Sequence, residues 1–244
     1  MVHEPSPELL AERIENAATL EDRIRLITSR SAGRVAFSTS LGMEDQALLH
    51  AIAASGRKVD VFTLDTGRHF QETLDTLEAS ELRYGLGIRV IAPAANDIEE
   101  LVSRDGINGF RFSIEARKAC CEIRKVMPLR RALRGAAIWM TGLRRKQSVG
   151  RGTVPFAERD ETLGLIKVNP LADWSLERVQ GYVRDNNIPV NALHARGYPS
   201  IGCQPCTRPI REGEDIRAGR WWWENEDGKE CGLHKRSPTL ARVS

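Results

Sequence analysis

The chain has 244 residues with ordinary apolar (41%) and charged (28%) fractions, enough for one α/β core with an appendage. A net charge of only +3 argues against a nucleic-acid binder, and no run approaches the ~18 consecutive apolar residues of a membrane span. Five cysteines, two of them adjacent, behind an N-terminus without a signal-peptide core imply a cytoplasmic chain whose thiols serve metal binding or chemistry rather than disulfides.

Leu9, Leu10, Ile14, Ala17, Leu20, Ile24 and Ile27 recur at helical spacing between Glu8 and Arg30, which predicts one or two amphipathic helices without chemistry. Arg34–Ser38 then reads as a buried strand, Thr39–Met43 as a loop of small residues, and Glu44-Asp45 as the opening of an apolar helix to about Ala54. Strand, small-residue loop and helix start can present backbone N–H groups to a phosphate or sulfate. A plain strand–helix turn has the same look, and no Gly-Lys-Ser/Thr makes it a Walker loop.

The pattern repeats with a strand over Lys58–Leu64, the loop Asp65-Thr66-Gly67-Arg68 and a helix from about His69 to Tyr84. Two βα units predict a parallel sheet whose ligands bind beyond the strand C-terminal ends. Ile88–Ala92 is a third predicted strand, and Asp97 is a candidate cap for a short helix to Val102. Ala116–Arg134 is predicted helical, interrupted at Pro128, followed by the strand Ala136–Met140 and the cations Arg144, Arg145 and Lys146. From Arg117 to Arg151 there are eleven Lys/Arg against one acid, Glu122, so this block calls for an anionic partner or is a solvated face. Leu165–Leu171 is another predicted strand, and Asp173 or Ser175 caps a helix from Leu176 to about Asn186. After Pro199 the pattern turns irregular, which divides the chain into an α/β unit over 1–199, with residues 1–30 as its helical extension, and a terminal segment over 200–244.

Within that segment stand Cys203 and Cys206 as Cys-x-x-Cys, then Arg208, Arg211, Arg217 and Arg220, then Trp221-Trp222-Trp223, then Cys231 and His234. A Cys-x-x-Cys turn needs two more soft ligands to close a metal site, and Cys120-Cys121 can supply them. A 4Fe–4S cluster and a structural zinc are not separated by spacing alone, and a redox pair or buried thiols rank below both. Cys231 is left over; the arginines upstream would favour its thiolate, although a lone thiol on a tail can be incidental. The tryptophans read as lid or core packing, and neither His69 nor His194 has ligand spacing.

Taken together, Ser38–Asp45, Leu64–Arg68, Lys118–Lys125, Thr141–Ser148, Gly202–Cys206 and Glu230–His234 resemble the assimilatory sulfonucleotide reductases, specifically the cluster-containing adenylyl-sulfate reductases. The resemblance runs from about Arg34 to His234. It implies an α/β fold like the adenine-nucleotide α-hydrolases, with a mostly parallel central sheet flanked by helices and a mobile C-terminal tail. It implies one 4Fe–4S cluster per chain on Cys120, Cys121, Cys203 and Cys206, and Cys231 as nucleophile with His234 beside it. Substrate contacts fall on Ser38, Ser40, Gly42, Glu44, Asp45, Leu64, Asp65, Thr66, Gly67, Arg68, Lys125, Arg144, Arg145, Arg217 and Arg220; Lys146 departs from the family pattern and is the weaker candidate.

The implied reaction is thiol-dependent reduction of adenosine 5′-phosphosulfate to sulfite and AMP in sulfate assimilation, with thioredoxin or a glutaredoxin-like protein as reductant. Two unit charges 4 Å apart repel by about 4 kcal/mol at an effective dielectric near 20, so an attacking thiolate on such a substrate needs cations around it. The rival readings are the 3′-phosphorylated nucleotide as substrate and a non-enzymatic zinc or cluster module that binds nucleic acid. A thiouridine-forming enzyme of the same fold would show Ser-Gly-Gly-x-Asp-Ser, which Ser38–Asp45 does not. A homo-oligomer is compatible with the sequence and not specified by it.

Overall fold

In the computed structural model, which describes residues 6–147 and 153–224, two helices lead into the sheet: α1 (Pro7–Glu15) and α2 (Leu20–Arg30). Ser6 and Thr19 cap them by accepting from the Leu9 and Asp22 backbone N–H groups. Leu10, Ile14, Leu20, Ile24 and Ile27 are buried in the main core, so both helices belong to its packing. Arg23 fixes α2 to the far end of the chain by donating to the Asp173 carboxylate and the Pro170 carbonyl, both at 2.6 Å.

Strands and helices then alternate as β1 (Arg34–Thr39), α3 (Met43–Ser55), β2 (Asp60–Leu64), α4 (Gln71–Tyr84), β3 (Arg89–Ile91) and α5 (Ala95–Asp105). A long helical passage follows, α6 (Ile114–Cys121), a π turn (Glu122–Val126) and α7 (Met127–Leu133). It leads to β4 (Ala136–Met140), β5 (Ala157–Asp160), β6 (Leu165–Val168) and α8 (Leu176–Asp185). The described residues form a six-stranded sheet ordered β3-β2-β1-β4-β6-β5, parallel throughout except for the antiparallel edge strand β5. Side chains alternate between two cores, as period-2 geometry requires. Val35, Phe37, Ile138 and Met140 face the larger one with α1–α3 and α8, whereas Ala36 and Trp139 face Leu129, Ala132 and Leu133 of α7. None of the described helices is long and apolar enough to cross a membrane.

Several boundaries differ from the sequence expectations. The helical passage is not broken at Pro128, which occupies the first turn of α7; the irregularity is the π turn just before it. Proline withholds an N–H from the preceding turn, and a wider turn accommodates the loss without ending the helix. Helix α5 starts after Ala94, with Asp97 inside its first turn rather than capping it, and runs on to Asp105. Strand β6 stops at Val168 rather than Leu171, because Asn169 turns its side chain to Thr141 and to the Pro155 carbonyl and Pro170 offers no donor. Strand β5 had no sequence signal: Ala-Glu-Arg-Asp carries no apolar alternation, and its strand pairing is with β6 alone among the described residues.

Candidate active site

Chain order reverses between β1 and β4: from β1 the chain moves outward to β2 and β3, and later returns to lay β4 on the other side. Ligands of open α/β sheets bind in the crevice beyond the strand ends at such a switch point. A cavity of about 330 Å³ opens there, lined by Ser38 and Thr39 at the end of β1, by Ser40 just past it, and by Thr141 and Gly142 after β4. Its size is that of a small-ligand site.

The loop after β1 is shaped by its own hydroxyls. Thr39 Oγ1 accepts from Leu41 N at 3.0 Å while Leu41 adopts φ +60°, and Ser40 donates from N and Oγ to Asp45 Oδ2 at 2.6 and 2.5 Å. Gly42 then starts α3 without a side-chain cap, so the helix N-terminus keeps backbone donors and its partial positive charge at the cavity wall. Gly142 permits the two loops to close: a Cβ there would stand 2.2 Å from Asp45 Oδ1. Trp139 Nε1 donates to Ser38 Oγ at 2.8 Å and steadies the end of β1.

The opposite wall is cationic. Lys125 from the π turn and Arg217 and Arg220 from the terminal segment all line the cavity. Arg220 is buried, with Nη1 directed at the Ile201 carbonyl (3.2 Å) and Ser200 Oγ (3.4 Å). Behind this wall sit four thiols in no disulfide, Cys120 and Cys121 at the end of α6 and Cys203 and Cys206 in the turn that follows Gly202. Gln204 N donates to the Arg68 carbonyl at 2.8 Å, and Thr66 Oγ1 meets Cys203 Sγ at 3.3 Å, so the loop after β2 holds that turn in place.

The thiols share one electrostatic neighbourhood. Burial pushes Cys206 up to about 12, helped by the charges of Cys203 and Cys121. Burial likewise raises Cys120, against the pull of Arg124. At Cys203 burial works the same way but is outweighed by Lys125, the Thr66 hydroxyl, Arg220 and Arg124, so that thiol lies below its ordinary value. Among the described residues no three His, Cys, Asp or Glu side chains are disposed to hold a metal ion.

Of the sequence-derived substrate residues, Ser38, Ser40, Gly42, Glu44, Asp45, Leu64, Thr66, Lys125, Arg217 and Arg220 line the cavity. Asp65, Gly67 and Arg68 instead line a shallower depression with Arg124 and Gln204, on the outer side of the Cys203–Cys206 turn. Arg68 donates to the Ile107 carbonyl and to Asn108 Oδ1 (3.3 Å), which makes it a brace between loops. Arg144 and Arg145 are absent from the lining: Arg144 binds Glu44 and the Trp174 carbonyl, and Arg145 Nε donates to the Val154 carbonyl at 2.9 Å. In this structure acidic and backbone partners take these donors. Cys231 and His234 lie outside the described residues. Thr73, Gln147, Gln180, His69 and His194 also line the cavity. Gln147 lies within Thr141–Ser148 and His69 directly after Leu64–Arg68, whereas Thr73, Gln180 and His194 come singly from a helix or loop with no motif around them.

Comparison with known proteins agrees with this geometry. A model of the phosphoadenosine phosphosulfate reductase domain matches residues 34–209. Proteins named adenosine 5′-phosphosulfate reductase from Agrobacterium fabrum and Rhizobium meliloti are 55% and 54% identical to this chain, over 83% and 88% of it and 78% and 81% of theirs. Among solved structures, the phosphoadenylyl-sulfate reductase of Candida auris, a phosphate complex, aligns with a TM-score of 0.71 at 25% identity, covering 84% of this chain and 98% of that one. The FMN adenylyltransferase of Candida glabrata aligns at 0.53 with 15% identity over 88% and 72%, a likeness of fold alone.

Proposed function

The chain belongs to the phosphoadenosine phosphosulfate reductase family, and from that premise we propose that it reduces adenosine 5′-phosphosulfate to sulfite and AMP in sulfate assimilation. The observation that carries the reading is the cavity at the switch point, with the uncapped start of α3 on one wall and Lys125, Arg217 and Arg220 on the other. A helix N-terminus and convergent cations suit the phosphosulfate, which bears the substrate's negative charge.

Cys231 is the proposed nucleophile. Its thiolate attacks the sulfate sulfur, the new S–S bond forms, and AMP departs with the electron pair of the broken S–O bond. AMP is a stable anion, so this step needs charge stabilisation from Lys125, Arg217 and Arg220 more than it needs an acid. The product is an S-sulfocysteine on the enzyme. A dithiol protein of the thioredoxin or glutaredoxin class then attacks Cys231 Sγ; sulfite leaves with the bonding pair, and the donor's second thiol resolves the mixed disulfide. The donor supplies both electrons, and its need for reduced thiols fits a cytoplasmic setting.

Cys120, Cys121, Cys203 and Cys206 are the residues that would hold a 4Fe–4S cluster. Four thiols with no imidazole or carboxylate among them are the donor set of such a group. They influence one another's charge, which supports one shared group for all four. The bound cluster would contribute structure and local charge, since transfer to Cys231 uses no electron from it.

Sulfite release from the 5′-phosphosulfate and from its 3′-phosphorylated form, assayed with a thioredoxin system, tests the substrate. Intact-mass analysis without reductant should show one SO₃ adduct, on Cys231. Cys231→Ser should keep nucleotide binding and lose turnover, because a hydroxyl near neutral pH offers almost no anion. Release from the 3′-phosphorylated nucleotide alone would overturn the substrate assignment.

A further inference from the structure

Arg117 stands on α6 one turn before Cys121 and is fully buried. Its Nε and Nη2 donate to both carboxylate oxygens of Glu224 at 2.8 and 2.9 Å, and the Glu224 side chain is itself only 4% exposed. The same guanidinium lies 4.6 Å from the centre of the Trp221 ring and bonds Cys121. Arg220, from the cavity wall, lies 4.7 Å from the centre of that ring. Trp221 adopts φ +43°, a left-handed conformation that a bulky residue holds only where its surroundings over-determine it. Its N–H donates to the Cys206 carbonyl at 3.1 Å. One buried arginine therefore joins the cysteine-bearing helix to the last described turn of the chain.

A buried ion pair is weak evidence for stability, because well-packed apolar residues often do as well; its use is better sought in the geometry it specifies. The geometry here is the point from which the chain departs toward Cys231. Seven residues further along, that thiol can reach at most about 25 Å from Glu224. A group on so short a tether has a high local concentration only where the tether's root allows the productive approach. In-line transfer further requires reacting atoms within about 3.5 Å.

We propose that Arg117 and Glu224 are positioning residues for the transfer step, forming the anchor that aims the Cys231 segment at the cavity. The proposal rests on Cys231 as nucleophile. Neither residue lines the cavity itself, but Trp221 and Arg220 do, so nucleotide affinity is read beside the transfer rate to separate approach of the thiol from binding.

The test uses the full-length, cluster-loaded enzyme with Glu224→Ala, Glu224→Gln, Arg117→Ala and Arg117→Lys. AMP affinity is measured by calorimetry, and single-turnover sulfonation of Cys231 by intact mass and peptide mapping. Glu224→Ala should slow sulfonation roughly tenfold or more, the scale of a misdirected approach, while AMP affinity stays within about threefold. Glu224→Gln, which keeps volume and one acceptor, should fall between Ala and wild type, and Arg117→Lys should recover part of what Arg117→Ala loses. Wild-type rates in Glu224→Gln and Glu224→Ala overturn the anchor, as does parallel loss of AMP affinity and rate. Should Glu224→Ala fail to fold, the Gln and Lys variants decide by the same criteria. If the wild-type adduct maps to a residue other than Cys231, the nucleophile assignment fails and the anchor falls with it. An adduct on Cys231 with unaffected variants defeats the anchor alone.

Discussion

Glu44 and Arg144 meet across the switch point of the sheet. Glu44 lies in the first turn of α3 and Arg144 beyond β4, yet Arg144 Nε and Nη2 donate to one Glu44 oxygen at 3.0 and 2.8 Å, joined by Gln147 Nε2 at 3.2 Å. The pair fastens the two loops that flank the cavity, and it neutralises an acid that would otherwise oppose an anionic substrate.

Arg144→Ala leaves the Glu44 charge without its guanidinium, so a stability loss of about 3 kcal/mol is expected, with weaker AMP binding. Urea unfolding and calorimetry measure the two effects. Glu44→Gln combined with Arg144→Met should lose less than the sum of the single changes. Strict additivity would show that the pair does not act as a unit.

A side chain at Gly202 is expected to shift Arg220. A Cβ there would stand 2.3 Å from Arg220 Nη2, so Gly202→Ala must displace the guanidinium from the cavity wall. Arg220→Ala should cost roughly 1.5–3 kcal/mol of substrate or transition-state binding if it makes one charge-assisted hydrogen bond. Gly202→Ala should lose a comparable amount while iron content is retained; unchanged kcat/KM in both variants would remove Arg220 from substrate binding.

Stability should fall with acid in two stages. Burial lowers His69, His50 and His194, so the unfolded chain takes up protons first and stability declines as pH drops below about 6.5. Asp60 is lowered by its bond to Arg89, and Asp173 by the bonds of Arg23 acting against burial. Both carboxylates contribute stability above about pH 4 that is lost as pH falls through their lower folded values. Thermal unfolding from pH 8 to pH 3 checks this, and Asp173→Asn should flatten the lower stage while sparing the upper.

Anaerobically prepared protein should contain iron and acid-labile sulfide near four each per chain, as expected for one 4Fe–4S group. Serine at Cys203 or Cys206 should abolish the visible absorbance. Stoichiometric zinc in a colourless preparation would replace the cluster with a structural ion.

Much of this arrangement was legible in the sequence because it is written in local patterns. Buried runs such as Val35-Ala36-Phe37 and Ile138-Trp139-Met140 announce strands, and the loops after them fall at the cavity as βα topology requires. Partner choice was not legible. Arg144 and Arg217 look alike in a sequence, but Arg144 meets Glu44, one hundred residues earlier, whereas Arg217 lines the cavity. Strand β5 was missed for a related reason, since its identity comes from β6 beside it. Arg117 was one cation in a basic block until the fold brought Glu224 against it.

The π turn over Glu122–Val126 accommodates one residue more than an α-helical turn would. Each residue of an α-helix rotates the chain by about 100°, so that extra residue fixes how the cysteine end of α6 faces relative to Leu129, Ala132 and Leu133, which pack on the sheet. Deleting a single codon between Glu122 and Val126 would yield a more regular helix and swing Cys120 and Cys121 by more than a quarter turn from the Cys203–Cys206 loop. Exchanges at the half-buried Glu122 and Ile123 can be absorbed, whereas Arg124 and Lys125 serve the Thr66 loop and the cavity, and a change in length would misplace both. In a lineage of such genes, the reading to expect here is a constant count with those two cations kept.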